Sequence, residues 1–157
     1  ERHNGKRRNP WNEAECGDHY VRAMSSWLVL HALTGFGYSA PEGWIRFSPV
    51  LERNPFRCFW SAGSGWGAFQ QECCRGERSA RIEVCGGNLP VSEIRLAWPD
   101  VQPATTKARL GTEKLAAGAK LAENGQLRVT MEGPAAVPEG TYIQISAQRA
   151  ENVEVER

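Results

Sequence analysis

Six polar side chains crowd the segment NPWNEAECGDHYVRAM at residues 9–24: Asn12, Glu13, Glu15, Asp18, His19 and Arg22. The segment runs straight into an apolar stretch, so these groups must pair with one another or with a ligand as they enter it. A carboxylate accepts hydrogen bonds and a guanidinium fork donates them, so the set suits a hydroxyl-rich or anionic partner. Asp18 and Arg22 stand four residues apart, and His19 and Arg22 three apart, so each pair shares a helix face. Asp18 also reads as an N-cap and Arg22 as a structural ion-pair member, and the spacing leaves both options open. Glu13 and Glu15 alternate in an extended lead-in, so only one of them faces a given pocket. They are therefore not a pair of catalytic carboxyls flanking one bond, which in retaining glycosidases lie about 5 Å apart.

Other chemistry is excluded by spacing. His3, His19 and His31 do not fall at metal-ligand intervals, and His31 reads as a core residue. The five cysteines (Cys16, Cys58, Cys73, Cys74 and Cys85) contain no C-x-x-C pair. They read as free structural thiols, which favours a reducing, cytoplasmic compartment. Ser64 in SAGSGWG lacks the glycine two residues before it that a nucleophile elbow needs, so the stretch reads as a turn between strands. No phosphate loop is present, because no lysine follows and no helix starts there. No metal and no cofactor are expected. The formal net charge of +1 argues against a nucleic-acid partner. No apolar run approaches the roughly 18 residues of a membrane-spanning helix. Trp11, Trp44, Trp60 and Trp66 could stack on sugar rings, but core packing is the simpler reading.

The elements that would position the polar cluster are one helix and many strands. Asp18 to about Thr34 reads as a helix ended by Gly35 and Gly37. It is apolar almost all round, through Tyr20, Val21, Ala23, Met24, Trp27, Leu28, Val29, Leu30 and Leu33. Such a helix is expected to be buried. No second long helix follows, since AGAKLAE at 117–123 is short and broken by Gly118. From Tyr38 on, short aromatic and β-branched runs alternate with glycine and proline: 43–49, 56–62, 65–74, 80–84, 92–98, 126–131 and 141–147. ARIEV and TYIQIS alternate with period two, as half-buried antiparallel strands do. Gly86-Gly87-Asn88 and Glu123-Asn124-Gly125 read as turns.

The cluster at 9–24, then GFGYSAPEGWIRFSP (35–49) and SAGSGWGAFQQ (61–71), resemble in that order the end of the catalytic domain of glycoside hydrolase family 116. That family holds non-lysosomal glucosylceramidases and bacterial β-glucosidases. The resemblance implies a mixed α and β chain. Residues 1–71 would be the C-terminal end of an (α/α)6 barrel, with the helix at 18–34 its last. Residues 72–157 would be a mostly antiparallel β tail, either a small sheet or a sandwich. It implies retaining hydrolysis of β-glycosides, with nucleophile and acid/base upstream of this motif, so no catalytic residue is assigned here. The chain by itself is then expected to be inactive, its partners being a β-glucoside and the missing N-terminal part of the barrel. The opening Glu1 fits a missing natural start. The resemblance carries glycone binding to Glu13 and Arg22, with His19 and Glu15 at motif positions that also hold the loop in place. The alternatives are a free-standing carbohydrate-binding module and a barrel-completing subunit without catalysis.

Overall fold

A computed structural model describes residues 25–51 and 54–150. The chain divides into two compact units, Glu1–Ala32 and Leu33–Arg157. The expected boundary between residues 71 and 72 falls inside a strand of the second unit.

The only α-helix among the described residues is α1 (Ser25–Thr34). After it come ten strands and one 3-10 turn at Pro103–Thr105: β1 (Gly37–Ser39), β2 (Trp44–Phe47), β3 (Phe56–Ala62), β4 (Gly65–Cys74), β5 (Glu77–Leu96), β6 (Lys107–Leu110), β7 (Glu113–Leu115), β8 (Ala117–Leu121), β9 (Leu127–Pro138) and β10 (Tyr142–Gln148). This overturns the (α/α)6 barrel expectation. The reason lies in the periodicity. From residue 44 on, burial alternates residue by residue, as in Ile45 and Phe47, in Ala80, Ile82 and Val84, and in Ile143, Ile145 and Ala147. A period of two buries one face of a strand and leaves no apolar stripe of helical period for a helix bundle to pack on.

The helix was expected to be buried against parts of a barrel that this chain lacks, and here Trp27, Leu28, Val29 and Leu33 are exposed. His31, expected in the core, is exposed as well. The core of the second unit is formed by strand residues together with Trp98 and Val101. The 117–123 stretch is the strand β8, where Gly118 is no interruption.

Two sheets share one strand. In the smaller sheet the order is β1, β2, β5, β9, β8, with β2 and β5 parallel and the other pairs antiparallel. In the larger sheet it is β3, β4, β5, β10, β6, β7, all antiparallel. β5 contributes Glu77–Gly87 to the larger sheet and Asn88–Leu96 to the smaller. Gly86-Gly87-Asn88, expected as a turn, is where this strand passes between sheets. Gly87 adopts φ 75° there, which glycine takes without a Cβ clash. Two glycines and an asparagine signal a change of direction, and a strand that swaps sheets makes that change without ending. Pro90 follows within β5. Its neighbour β9 pairs there on one side, while β2 begins only opposite Glu93, so the missing N–H costs no ladder bond.

The inner faces of the sheets enclose one core. Phe47 of β2 stacks on Phe69 of β4, with ring centroids 3.9 Å apart and planes 4° apart. Trp98 Nε1 donates to the buried Gln71 Oε1 at 3.3 Å, so the one polar end of that indole is satisfied. Close backbone approach sets another position. A Cβ on Gly67 would lie 1.8 Å from the Glu83 carbonyl oxygen, on the neighbouring strand at a β-bulge. Gly67→Ala is therefore expected to push β4 off β5 and to cost about 3 kcal/mol, read by urea unfolding. A loss below about 0.5 kcal/mol would show that the bulge absorbs a methyl group.

Candidate functional site

Glu13, Glu15, His19 and Arg22 lie outside the described residues, as do Trp11 and Asp18. The site that the strands themselves build is the outer face of the larger sheet. In an antiparallel pair, residues directly opposite one another present their side chains on the same face. The register therefore writes rows across the strands. Arg57 lies opposite Gln70, Gln70 opposite Arg81, Arg81 opposite Gln144, Gln144 opposite Arg109, and Arg109 opposite Lys114. One residue set thus runs across all six strands, alternating cation and amide until it ends on two cations. Phe59, Ala68, Glu83 and Tyr142 form the next row on one side. Glu72, Ser79, Ser146 and Lys107 form the row on the other.

Contacts within these rows fix the central arginine. Its guanidinium lies over the Tyr142 ring, 3.7 Å from the centroid. Its Nη2 is 3.9 Å from Glu83 Oε1, a loose and partly solvated pair. Arg81 Nε is buried without a hydrogen-bond partner. Two depressions open on this face and share Gln144. One, of about 490 Å³, is lined by Arg57, Gln70, Glu72, Ser79 and Arg81 among others. The other, of about 250 Å³, is lined by Glu77, Lys107, Arg109 and Ser146. Phe59 and Trp66 form an exposed tilted pair, ring centroids 6.2 Å apart, at one margin. Trp66 was expected in the core, as was Trp60. Trp60 is buried there, whereas Trp66 has the opposite strand parity and points outward.

Two further candidate nucleophiles, Cys58 and Ser64, are not activated. Burial pushes the Cys58 thiol up to about 12, so it is not a nucleophile at neutral pH. Cys58, Cys73, Cys74 and Cys85 are free thiols. Ser64 sits in the turn between β3 and β4, and its carbonyl accepts from Asn88 N at 2.9 Å. No histidine occurs in residues 33–157 to serve it as a base. Among the described residues no group of His, Cys, Asp or Glu could hold a metal ion, and no helix is long and apolar enough to cross a membrane.

Away from the outer face, Asp100 is a buried carboxylate clamped by two arginines. Arg78 donates through Nε (2.7 Å) and Nη2 (2.9 Å), and Arg149 through Nε (2.7 Å). Burial alone would raise its pKa. The hydrogen bonds and charge of Arg78, then those of Arg149, outweigh burial and hold it below the usual carboxylate range. All its partners are side chains of the same fold, so this is a fastening rather than a reactive centre.

The outer rows were invisible to motif reading, because a row depends on register and no fixed sequence spacing links Arg57, Arg81 and Arg109. The strand parity of 57 and 81 was readable, but the strand that carries Arg109 and the pairing that aligns all three were not.

No protein-family model matches the chain, and no curated relative matches it. Among solved structures, it is similar to a mutant family 31 dextranase of Flavobacterium johnsoniae, complexed with isomaltotriose. The likeness covers 68% of this chain and 17% of that one, at 9% identity and a TM-score of 0.39.

Proposed function

We propose that this chain is the C-terminal segment of a β-glycoside hydrolase of the β-glucosidase or glucosylceramidase type. In this reading the segment at 9–24 supplies glycone contacts and the β unit is a non-catalytic part of the same enzyme. The observation that carries the reading is the order of three separate stretches, at 9–24, 35–49 and 61–71. Glu13 accepts from adjacent sugar hydroxyls and Arg22 donates to their oxygens, with His19 and Glu15 supporting the loop. The nucleophile and the acid/base are not assigned to this chain, and its partner is then the catalytic part of the parent enzyme.

The test is kinetic. In the parent enzyme, Glu13→Gln is expected to lower kcat/KM for an aryl β-glucoside about a hundredfold, a loss of roughly 2.7 kcal/mol of transition-state stabilisation. Arg22→Ala should lower it in parallel. Kinetics that stay unchanged in both variants would sink the assignment.

A second reading is a carbohydrate-binding module without catalysis. It is favoured by one observation: Leu33–Arg157 is a compact unit with its own core and an outer face bearing the exposed Phe59 and Trp66. Under that reading Glu13→Gln leaves glycan binding by the chain unaltered.

A further inference from the structure

We propose that the outer face of the larger sheet binds a linear glycan carrying a carboxylate on every second sugar. The glycan lies across the strands along Arg57, Gln70, Arg81, Gln144 and Arg109. The proposal stands on this face alone and does not depend on the roles given to Glu13 and Arg22.

Spacing is the first argument. Neighbouring strands lie about 4.8 Å apart, so cations on alternate strands stand about 9.6 Å apart. Arg57, Arg81 and Arg109 occupy alternate strands of the row, with an amide on each strand between. A chain of sugars with an acid on alternate residues presents the same alternation of one anion and one neutral, hydroxyl-bearing ring. Guanidinium forks match carboxylates two bonds at a time, and glutamine amides both donate to and accept from hydroxyls.

The row carries little countercharge: Arg81 meets Glu83 of the next row only loosely, at 3.9 Å. The row itself contains no carboxylate, and Glu72 and Glu83 stand in the rows beside it. Arg109 lies directly opposite Lys114, a like-charged pair that weakens the sheet until an anion sits between them. Arg81 sits over the Tyr142 ring and keeps an unpartnered Nε, so its position is set before a ligand arrives. The two depressions lie along the same row and meet at Gln144, giving the chain of sugars a path.

A nucleic acid fits this face less well. A strand of DNA carries a charge about every 3.4 Å, which asks for a continuous basic groove. Here the arginines come at about 9.6 Å and glutamates flank them, in a protein of net charge +1.

The test is calorimetric titration of the whole chain at low salt. The probes are a hyaluronan oligosaccharide, a neutral β-glucan oligosaccharide of equal length, and single-stranded oligothymidylate. Hyaluronan, whose glucuronates alternate with N-acetylglucosamine, should bind in preference to both others. Arg57→Gln and Arg109→Gln, both at exposed positions, should each weaken it about tenfold. The double variant should weaken it about a hundredfold. Equal or tighter binding of the neutral glucan, tighter binding of oligothymidylate, or hyaluronan binding indifferent to both substitutions would each overturn the proposal. So would the absence of binding by hyaluronan.

Discussion

Asp100→Asn should cost about 3–5 kcal/mol of folding stability. Asp100 is 3% exposed in its side chain and answers three donors from two arginines. The amide is isosteric, but its nitrogen faces a guanidinium and it carries no charge. Arg78, only 19% exposed, is then left as a partly buried cation without its anion. The clamp joins three places: Arg78 near the start of β5, the stretch after Trp98, and Arg149 just beyond β10. The backbone ties the same places together, with Ala150 N donating to Asp100 O and Arg149 bridging to Val101. The effect has a definite sign in pH. The folded-state pKa of Asp100 lies below its unfolded value, so the clamp's contribution is complete above the unfolded pKa, near 3.9. It fades as pH falls through the folded value. Urea unfolding of both forms from neutral pH downward checks this. The gap between them should be widest near neutrality and should narrow in acid. A gap that is small at neutral pH, or that does not close in acid, would mean that Asp100 is held by packing and not by charge.

Phe69→Ala should be comparably severe, at about 4 kcal/mol. Phe69 is fully buried, stacks face to face on Phe47 of the other sheet and meets Phe56 at 6.2 Å and a 54° tilt. Truncation leaves a void between two sheets that the shared β5 holds in place, so the site collapses poorly. For a fold whose total stability is of the usual 5–15 kcal/mol, the variant sits close to the edge of folding. Phe69→Leu keeps most of the volume and should lose about 1–2 kcal/mol. Tryptophan fluorescence during urea unfolding reads both, through the buried Trp60 and Trp98. A Phe69→Ala loss under about 1 kcal/mol would show that the ring stack does not bind the sheets.

Local signals in the sequence carried real structural information, and the register did not reach them. The runs at 56–62 and 65–74 are β3 and β4 to the residue, because aromatics and turn glycines mark both ends. The turn at Glu123-Asn124-Gly125 is made as its residues ask: Gly125 takes φ 72° and Asn124 Oδ1 accepts from Gln126 N at 3.2 Å. Runs 80–84 and 92–98 were separate in the sequence and are largely one strand in space, because the residues between them, Gly86 to Pro90, carry turn chemistry yet stay paired in the ladders. The (α/α)6 barrel came from motif resemblance, whereas the period-two burial after residue 44 decides the fold described here. Among candidate site residues, the polar cluster was legible as chemistry at 9–24. The Arg57–Arg109 row was not, since it exists only once five strands are in register.

β5 carries a consequence for motion. In a sandwich of two separate layers, only the interdigitated side chains between them oppose a tilt of one layer on the other. Here one covalent strand is a member of both layers, hydrogen-bonded to β4 and β10 at one end and to β2 and β9 at the other. A shear between the layers would have to break that strand's ladder on one side. The curvature of the outer face is therefore set by the core beneath it and does not change by layer movement. Whatever docks on that face meets a surface of fixed pitch, and discrimination among ligands falls to the length of their own repeat.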